Sequence, residues 1–377
     1  MRILQIAPEI SPGTGVAGVA YHLETEWRRA GHEVERFTLA DARCGWIPAS
    51  RQGLPGRLNH ALEVIWFSVV GTALVRRRLR HDPVDVSICH NDAMAGQVYV
   101  NHGILAASMR ARGQYWWRMT RNPVHVFTAL RDKLRFGPRG PHRLVVNLAT
   151  SEERLLRLEY PRLRACTTVI VNGVDNDKFH AADPATRKLL RSEHGATDDE
   201  FLIGFVGHEF ARKGLQVLLE ALSRLDAGFR LLVIGGTEDM VRQGERAART
   251  SGVADRVEFV GRVPDPSALL ACTDALCLPS AYEASPLVVL EGLACGVPVV
   301  STRTGSTQDI LTPGKDGFLV DRDPHAIADA LLRIRSASTD FAANARATAE
   351  RHKWTTVADR YLQAFELSLT ERRGVTS

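Results

Sequence analysis

Short apolar runs alternate with helix-like stretches along nearly the whole chain. "RILQIA", "HEVERFTL", "DVSICH", "GQVYVNHG", "RLVVNLATS" and "CTTVIVNGV" each carry a few consecutive apolar or β-branched residues and read as strands. Between the first two, "GVAYHLETEWRRAG" has helical spacing and stops at Gly31, a glycine placed to cap it. A looser segment, "DNDKFHAADPATRKLLRSEHGATDDE", follows Asp175, and a second series then begins: "FLIGFVG", "FRLLVIGG", "RVEFVGRV", "DALCLPS", "VPVVST" and "DGFLV". Strands alternating with helices predict an α/β protein built on open, mostly parallel sheets. The pattern predicts two doubly wound, Rossmann-like domains, with a boundary between about 175 and 198. Such sheets bind ligands at the carboxyl ends of their strands, which places the expected ligand between the two halves.

Length and composition sharpen this without redirecting it. At 377 residues the chain exceeds one ordinary core, and 45% hydrophobic with 24% charged residues marks a soluble globular protein. "MRILQIAPEI" lacks a signal-peptide pattern, and the longest apolar run, Val64 to Val75, falls short of a bilayer span. Six cysteines without a C-x-x-C pair suit a reducing, cytoplasmic compartment rather than a disulfide framework or zinc site.

Charge is unevenly spread. Nine Lys/Arg against the single acid Asp132 lie between Arg110 and Arg143, so this stretch carries about +8 and the remainder about −3 of the net +5. Tyr115, Trp116, Trp117, Phe127 and Phe136 are interleaved with it, and Arg76, Arg77, Arg78 and Arg80 follow the apolar "LEVIWFSVVGTALV". Basic and aromatic residues together suit a lipid surface, a nucleic acid or an acidic glycan, and a solvated basic face fits as well.

Gly13, Gly15 and Gly18 spell G-x-G-x-x-G, the dinucleotide fingerprint. The context argues against it. The strand ends near Ala7 and "PEISP" intervenes, where a dinucleotide site needs a tight strand-to-helix turn. Only Asp41 stands near the end of the second strand. The loop still feeds a helix N-terminus, an edge that accepts anions, so a phosphate-bearing ligand is expected there.

The second half is more specific. "FVGHEFARKGLQVLLEAL", "VEFVGRVPDPSALLACTDALCLPS" and "YEASPLVVLEGLACGVPVVSTRTGSTQDIL" follow in order. Glu283 and Glu291 stand eight apart around apolar "PLVVL"; a helix starting near Pro286 would hold Glu291 and leave Glu283 on the preceding loop. Carboxylates suit sugar hydroxyls, whereas the free N–H groups of that helix suit a pyrophosphate.

In this order the motifs resemble the nucleotide-sugar domain of the family-4 retaining glycosyltransferases (glycosyl transferases group 1), which have the GT-B fold. "SPGTGVAGVAYHLETEWRRAGHEV" resembles the family's glycine loop and first helix, and "TVIVNGVDNDKF" its interdomain turn. The tryptophan of "HKWTTVADRYL" matches a terminal helix that crosses back to the N-terminal domain. Residues 43–84 and 104–143 lie outside the resemblance.

The resemblance implies an acceptor-binding domain over 1–180, a nucleotide-sugar domain over 181–350 and a crossing helix over 351–377. It implies His102, Lys213 and Glu283 as catalytic residues. It also implies a donor site of Gly15, His208, Arg212, Lys213, Glu283, Ser285, Leu287, Val288 and Glu291. Within that site, Lys213 meets the phosphates, Glu283 a hydroxyl of the donor sugar and Glu291 the ribose diol. His90 and Asp92 fall on the acceptor side. No metal or resident cofactor is implied. His208 stands where the family carries arginine, with Arg212 as the candidate to compensate, and Ala284 stands where it carries glycine beside the sugar.

The function expected is retaining transfer of a hexose-type sugar from a UDP- or GDP-sugar to a hydroxyl of a glycan or lipid-linked acceptor. The setting expected is cell-envelope or polysaccharide synthesis, in a cytoplasmic protein open to peripheral attachment at an anionic membrane, with no nucleic-acid partner. A nucleotide-sugar epimerase, a phosphorylase on the same architecture and a non-catalytic glycan- or membrane-binding module are the alternatives.

Overall fold

The structure, a computed structural model, describes residues 1–13, 15–48, 53–337 and 340–370. The chain divides into two compact units: residues 1–172 with 354–377, and residues 173–353. The crossings fall within "VNGVD" and just before Trp354, so the N-G-V-D turn opens the second unit. Of the 351–377 segment, a helix runs Trp354–Thr370, and residues 371–377 lie outside the described part.

The first unit holds strands β1 (Arg2–Ile6), β2 (Glu33–Phe37), β3 (Val86–Cys89), β4 (Val98–Asn101), β5 (Leu144–Asn147) and β6 (Cys166–Val169). They form one parallel sheet in the order β2-β1-β3-β4-β5-β6. Every residue of β3, β4 and β5 is buried, as expected of parallel strands covered on both faces. The helix Trp354–Thr370 packs on the helix Gly15–Arg29, where the fully buried Trp27 meets Tyr361 and Phe365 and donates to the Ala358 carbonyl at 3.2 Å.

The second unit holds β7 (Phe201–Val206), β8 (Phe229–Ile234), β9 (Val257–Gly261), β10 (Ala275–Leu278), β11 (Val299–Thr302) and β12 (Gly317–Val320). The order β12-β11-β10-β7-β8-β9 is that of a doubly wound dinucleotide-type sheet, with its direction of progress reversing between β7 and β10. Its core packs Ile203, Phe205, Leu218, Leu231, Val233 and Cys277 with the surrounding helices.

The basic and apolar segments of the first unit fold into helices that the strand pattern did not outline. Gly53–Trp66, a π turn at Phe67–Gly71 and Thr72–His81 run on as one helix. Leu58–His81 is, by length and composition alone, apolar enough to cross a membrane, a longer element than the Val64–Val75 run. Its inner face is core: Phe67 and Val75 are fully buried, the Met94 amide donates to Thr72 Oγ1 at 2.8 Å, and Arg131 reaches Ser68 Oγ at 3.1 Å. Arg78 is committed to an ion pair with Glu35, and Arg76 donates to the Met94 carbonyl at 2.9 Å, so two of the basic run serve the fold.

The helix Pro123–Arg135 is inverted relative to an ordinary surface helix. Arg131, Asp132 and Arg135 face inward and are buried, whereas Val126, Leu130 and Leu134 face outward at 43%, 57% and 69% exposure. The inner charges are paired with one another and with backbone carbonyls. Arg131 pairs with Asp92 at 2.6 Å, and Arg135 donates to the carbonyls of Asn91, Asp92 and Ala93 and stacks on Tyr99.

Candidate functional site

The order of strand addition reverses between the parallel strands β7 and β10, so the helices following these strands leave a crevice at their carboxyl ends. From β7 the chain runs through Gly207, His208 and Glu209 into the turn Phe210–Lys213. From β10 it runs through residues 279–286 into the helix Leu287–Ala294. Pro286 is the N-cap of that helix rather than its first helical residue, so the helix begins one position later than expected. Glu291 lies inside it and Glu283 on the loop before it, as the spacing indicated.

Glu283 is the hub of this crevice. Its Oε1 accepts from Lys213 Nζ at 3.1 Å and Ser280 Oγ at 3.0 Å and is paired with Arg212 Nη1 at 3.0 Å. The three charged side chains are only 11–15% exposed, so these contacts are stronger than a surface pair. Arg212 is further bound to Glu209 at 2.7 Å and to the Tyr282 carbonyl. Its guanidinium therefore holds the loop in place. The same loop is tied from behind, where the Ser306 amide donates to the Ala284 carbonyl at 3.0 Å and Ser306 Oγ to Ser285 Oγ at 2.9 Å.

Lys213 reaches Glu283 by lying across Gly207: a Cβ added there would meet Lys213 Cδ at 2.0 Å. His208 is exposed, and its imidazole is held below the ordinary value, first by partial desolvation and then by the Arg262 and Lys213 charges. At the helix start Leu287 is half-buried and Val288 buried. Glu291 is 8% exposed, and burial pushes its carboxyl up to about 7, against the pull of Lys178 and Lys213.

The first sheet reverses between β1 and β3, and a second group of polar side chains gathers there. Gly13 and Gly15 adopt left-handed backbone angles, with φ of 137° and 77°. A Cβ at Gly18 would meet the Gly13 carbonyl oxygen at 2.0 Å. The helix starts at Gly15, earlier than the pattern suggested, so Gly18 sits in its first turn against the loop.

His90 follows β3 and His102 follows β4, with ring centroids 5.9 Å apart. Burial holds the His102 imidazole down at about 4 and His90 well below its ordinary value, so both rings are neutral at pH 7. Asp92 is buried, with its carboxylate on Arg131, an arrangement that serves the fold.

Sequence reasoning did not find Ser280, Glu209, Ser306 or Arg131. Each acts through a contact with a marked residue but lies outside the motif's own pattern, and Arg131 is 39 positions from Asp92.

Among known proteins, residues 200–336 match the family described as glycosyl transferases group 1. A D-inositol 3-phosphate glycosyltransferase of Xylanimonas cellulosilytica is 36% identical over 219 residues, covering 54% of this chain and 52% of that protein. The chain thus spans about half the length of that relative. A GDP-mannose-dependent alpha-(1-6)-phosphatidylinositol dimannoside mannosyltransferase of Mycobacterium tuberculosis is 28% identical over 367 residues, covering 89% of this chain and 88% of that one. Among solved structures, WaaG, a glycosyltransferase involved in lipopolysaccharide biosynthesis, superposes with a TM-score of 0.74 at 19% identity, covering 96% of this chain and 99% of WaaG. The two six-stranded sheets with flanking helices are those of the GT-B glycosyltransferase fold. Residues 200–336 thus carry the likeness to the group 1 glycosyl transferases.

Proposed function

We propose that this chain transfers a hexose-type sugar from a UDP- or GDP-sugar to a hydroxyl of a glycan or lipid-linked acceptor in envelope or polysaccharide synthesis, with retention of anomeric configuration. The observation that carries the reading is the Lys213–Glu283–Arg212 cluster at the switch point of the second sheet, inside the stretch that matches the family.

A nucleoside diphosphate is a charged leaving group, and the crevice offers it Lys213, here paired with Glu283, and the free N–H groups after Pro286. Glu283 is bound by two cations, and its carboxylate is proposed to accept from a hydroxyl of the donor sugar. Glu291 is placed one helical stretch further on for the ribose diol. In this reading a phosphate oxygen of the departing diphosphate takes the proton of the attacking hydroxyl on the same face of the sugar. The protein's share is orientation and charge stabilisation, and no metal is needed for either. Gly15 and His102 of the first unit are proposed for donor contacts and His90 for the acceptor.

The acceptor is proposed to lie at a lipid surface. The support is the inverted helix Pro123–Arg135, whose Val126, Leu130 and Leu134 face outward beside the exposed Trp116 and Trp117 of the helix Tyr115–Arg121. Arg121 lies over Trp117, and Lys133 is on the same helix as the apolar ridge. Basic groups framing an apolar ridge fit an anionic bilayer interface, where the rings and aliphatic chains sink below the headgroups. A relative that acts on phosphatidylinositol dimannoside fits the same picture. The proposed station is the inner face of the plasma membrane.

A thermal-shift panel tests the reading. A ligand at 100 times its dissociation constant adds about 2.7 kcal/mol to the native state. UDP or GDP and their sugars are expected to raise Tm for the unaltered chain and not for Lys213→Ala. A shift with NAD and none with any UDP or GDP compound would overturn it. Incubating the responding sugar nucleotide with membrane extract and identifying the product separates a transferase from an epimerase or phosphorylase.

A further inference from the structure

We infer that Gln5 locks His90 as the Nε2–H tautomer, so that His90 Nδ1 accepts a hydrogen bond from a substrate hydroxyl at the switch point of the first sheet. Gln5 lies in β1 and His90 directly after β3, the two strands between which that sheet reverses, and both side chains are fully buried. The orientation of the Gln5 amide follows from its surroundings. Its nitrogen faces the Ala20 carbonyl at 2.9 Å, and a carbonyl can only accept, so the amide must present N–H there. Its Oε1 is thereby turned on His90 Nε2 at 2.7 Å, and an acceptor at that distance requires the proton on Nε2.

A neutral imidazole has one ring proton, and burial keeps this ring neutral. Nδ1 is therefore a bare lone pair. It is buried, and among the described residues no donor reaches it; His102 Nε2, on the adjacent ring, likewise has no partner among them. A buried acceptor without a donor is costly, and with an unpartnered nitrogen of the neighbouring ring beside it at a strand-end crevice it marks a place shaped for a ligand's polar group.

The chemistry of that group follows. It must donate, which admits a hydroxyl and disfavours a phosphate or carboxylate oxygen, since two acceptors would face each other. Gln5 is a positioning residue that touches only the ring. Which substrate owns the hydroxyl rests on the glycosyl-transfer reading; the tautomer does not.

The test labels the histidines of the full chain with nitrogen-15 and records long-range proton–nitrogen correlations at neutral pH, with His90→Phe assigning the signals. The unaltered chain is expected to show His90 as Nε2–H. Gln5→Leu is expected to lose that preference and raise KM for the acceptor at least about tenfold. The donor KM and the nucleotide thermal shift should not change. Gln5→Glu, which still offers an oxygen to Nε2, should keep the tautomer.

A His90 signal of the Nδ1–H form or of an imidazolium overturns the inference. So does a folded Gln5→Leu chain with an unaltered tautomer. Should Gln5→Leu fail to fold, the spectrum of the unaltered chain alone decides. Should no sugar nucleotide be turned over at all, the transferase reading falls while the tautomer measurement still stands.

Discussion

The aliphatic stem of Lys213 occupies the space that a side chain at Gly207 would need, with Cδ only 2.0 Å from the position of a Cβ. The atoms in conflict belong to a flexible side chain, so Gly207→Ala should fold, with Lys213 pushed off Glu283. Nucleotide affinity is expected to fall about tenfold, equivalent to one charge-assisted contact, with little change in Tm. Calorimetric titration with UDP and GDP beside a melting curve checks both halves. A large loss of stability with unchanged affinity would count against it.

Glu283→Gln removes the charge that Lys213 and Arg212 share while keeping the shape. The two cations then face an incoming diphosphate with less competition. Free nucleotide should bind as well as before or better, while turnover of the sugar nucleotide drops by about 100-fold through loss of an oriented hydroxyl contact. Parallel binding and product assays separate these effects; an equal loss in both would point to simple collapse of the loop.

The Glu291 carboxyl titrates at about 7 in the folded protein, against an ordinary value of 4.5. The folded state therefore holds its proton more tightly than the unfolded chain. The favourable contribution is complete below pH 4.5 and is lost progressively as pH rises to 7. Glu291→Gln should remove that slope. Its melting temperature should exceed that of the unaltered chain at pH 8, by an amount reflecting at most about 3 kcal/mol, with the gap closing toward pH 5. Melting curves for the two chains at pH 5, 6, 7 and 8 provide the measurement.

The outward ridge of the helix Pro123–Arg135 predicts lipid affinity. Leu130→Glu combined with Leu134→Glu should cut co-sedimentation with vesicles containing phosphatidylglycerol by about tenfold and leave nucleotide binding unchanged. Neutral phosphatidylcholine vesicles should retain little of either protein. Equal retention of both chains on anionic vesicles would remove the ridge as the contact. Arg78 is unsuited to such a test, because it is committed to Glu35.

Beneath that ridge, Arg131 and Asp92 form a buried pair at 2.6 Å. Arg131→Leu strands a carboxylate away from water and should cost about 3–5 kcal/mol, lowering Tm by roughly 10 °C. Replacing both, Asp92→Asn with Arg131→Leu, should recover part of the loss. Absence of recovery would mean that the remaining contacts of Arg131, not the orphaned charge, set the cost.

The twelve strands were legible as short runs, most apolar and some alternating or β-branched, with turn residues between them. The helices of 105–135 were not, because the inward residues of Pro123–Arg135 are charged and its outward ones apolar. An amphipathic reading of such a helix points to the wrong face. At the site, the eight-residue spacing placed Glu283 and Glu291 correctly on loop and helix. The sequence offered no sign that Arg212 would be consumed by Glu209 and the Tyr282 carbonyl, or that Asp92 had a partner 39 positions away. Pairings of that kind are set by how strands are ordered in a sheet, which a linear motif does not encode.

The packing of Trp27 against Tyr361 and Phe365 orders events during synthesis on the ribosome. Residues 173–353 are contiguous and can close their core as soon as they emerge, although they are made second. The amino-terminal sheet, made first, waits with an indole uncovered until the last helix leaves the exit tunnel. A stalled or clipped chain lacking that helix would carry a finished second unit and an unfinished first one, a natural substrate for chaperones.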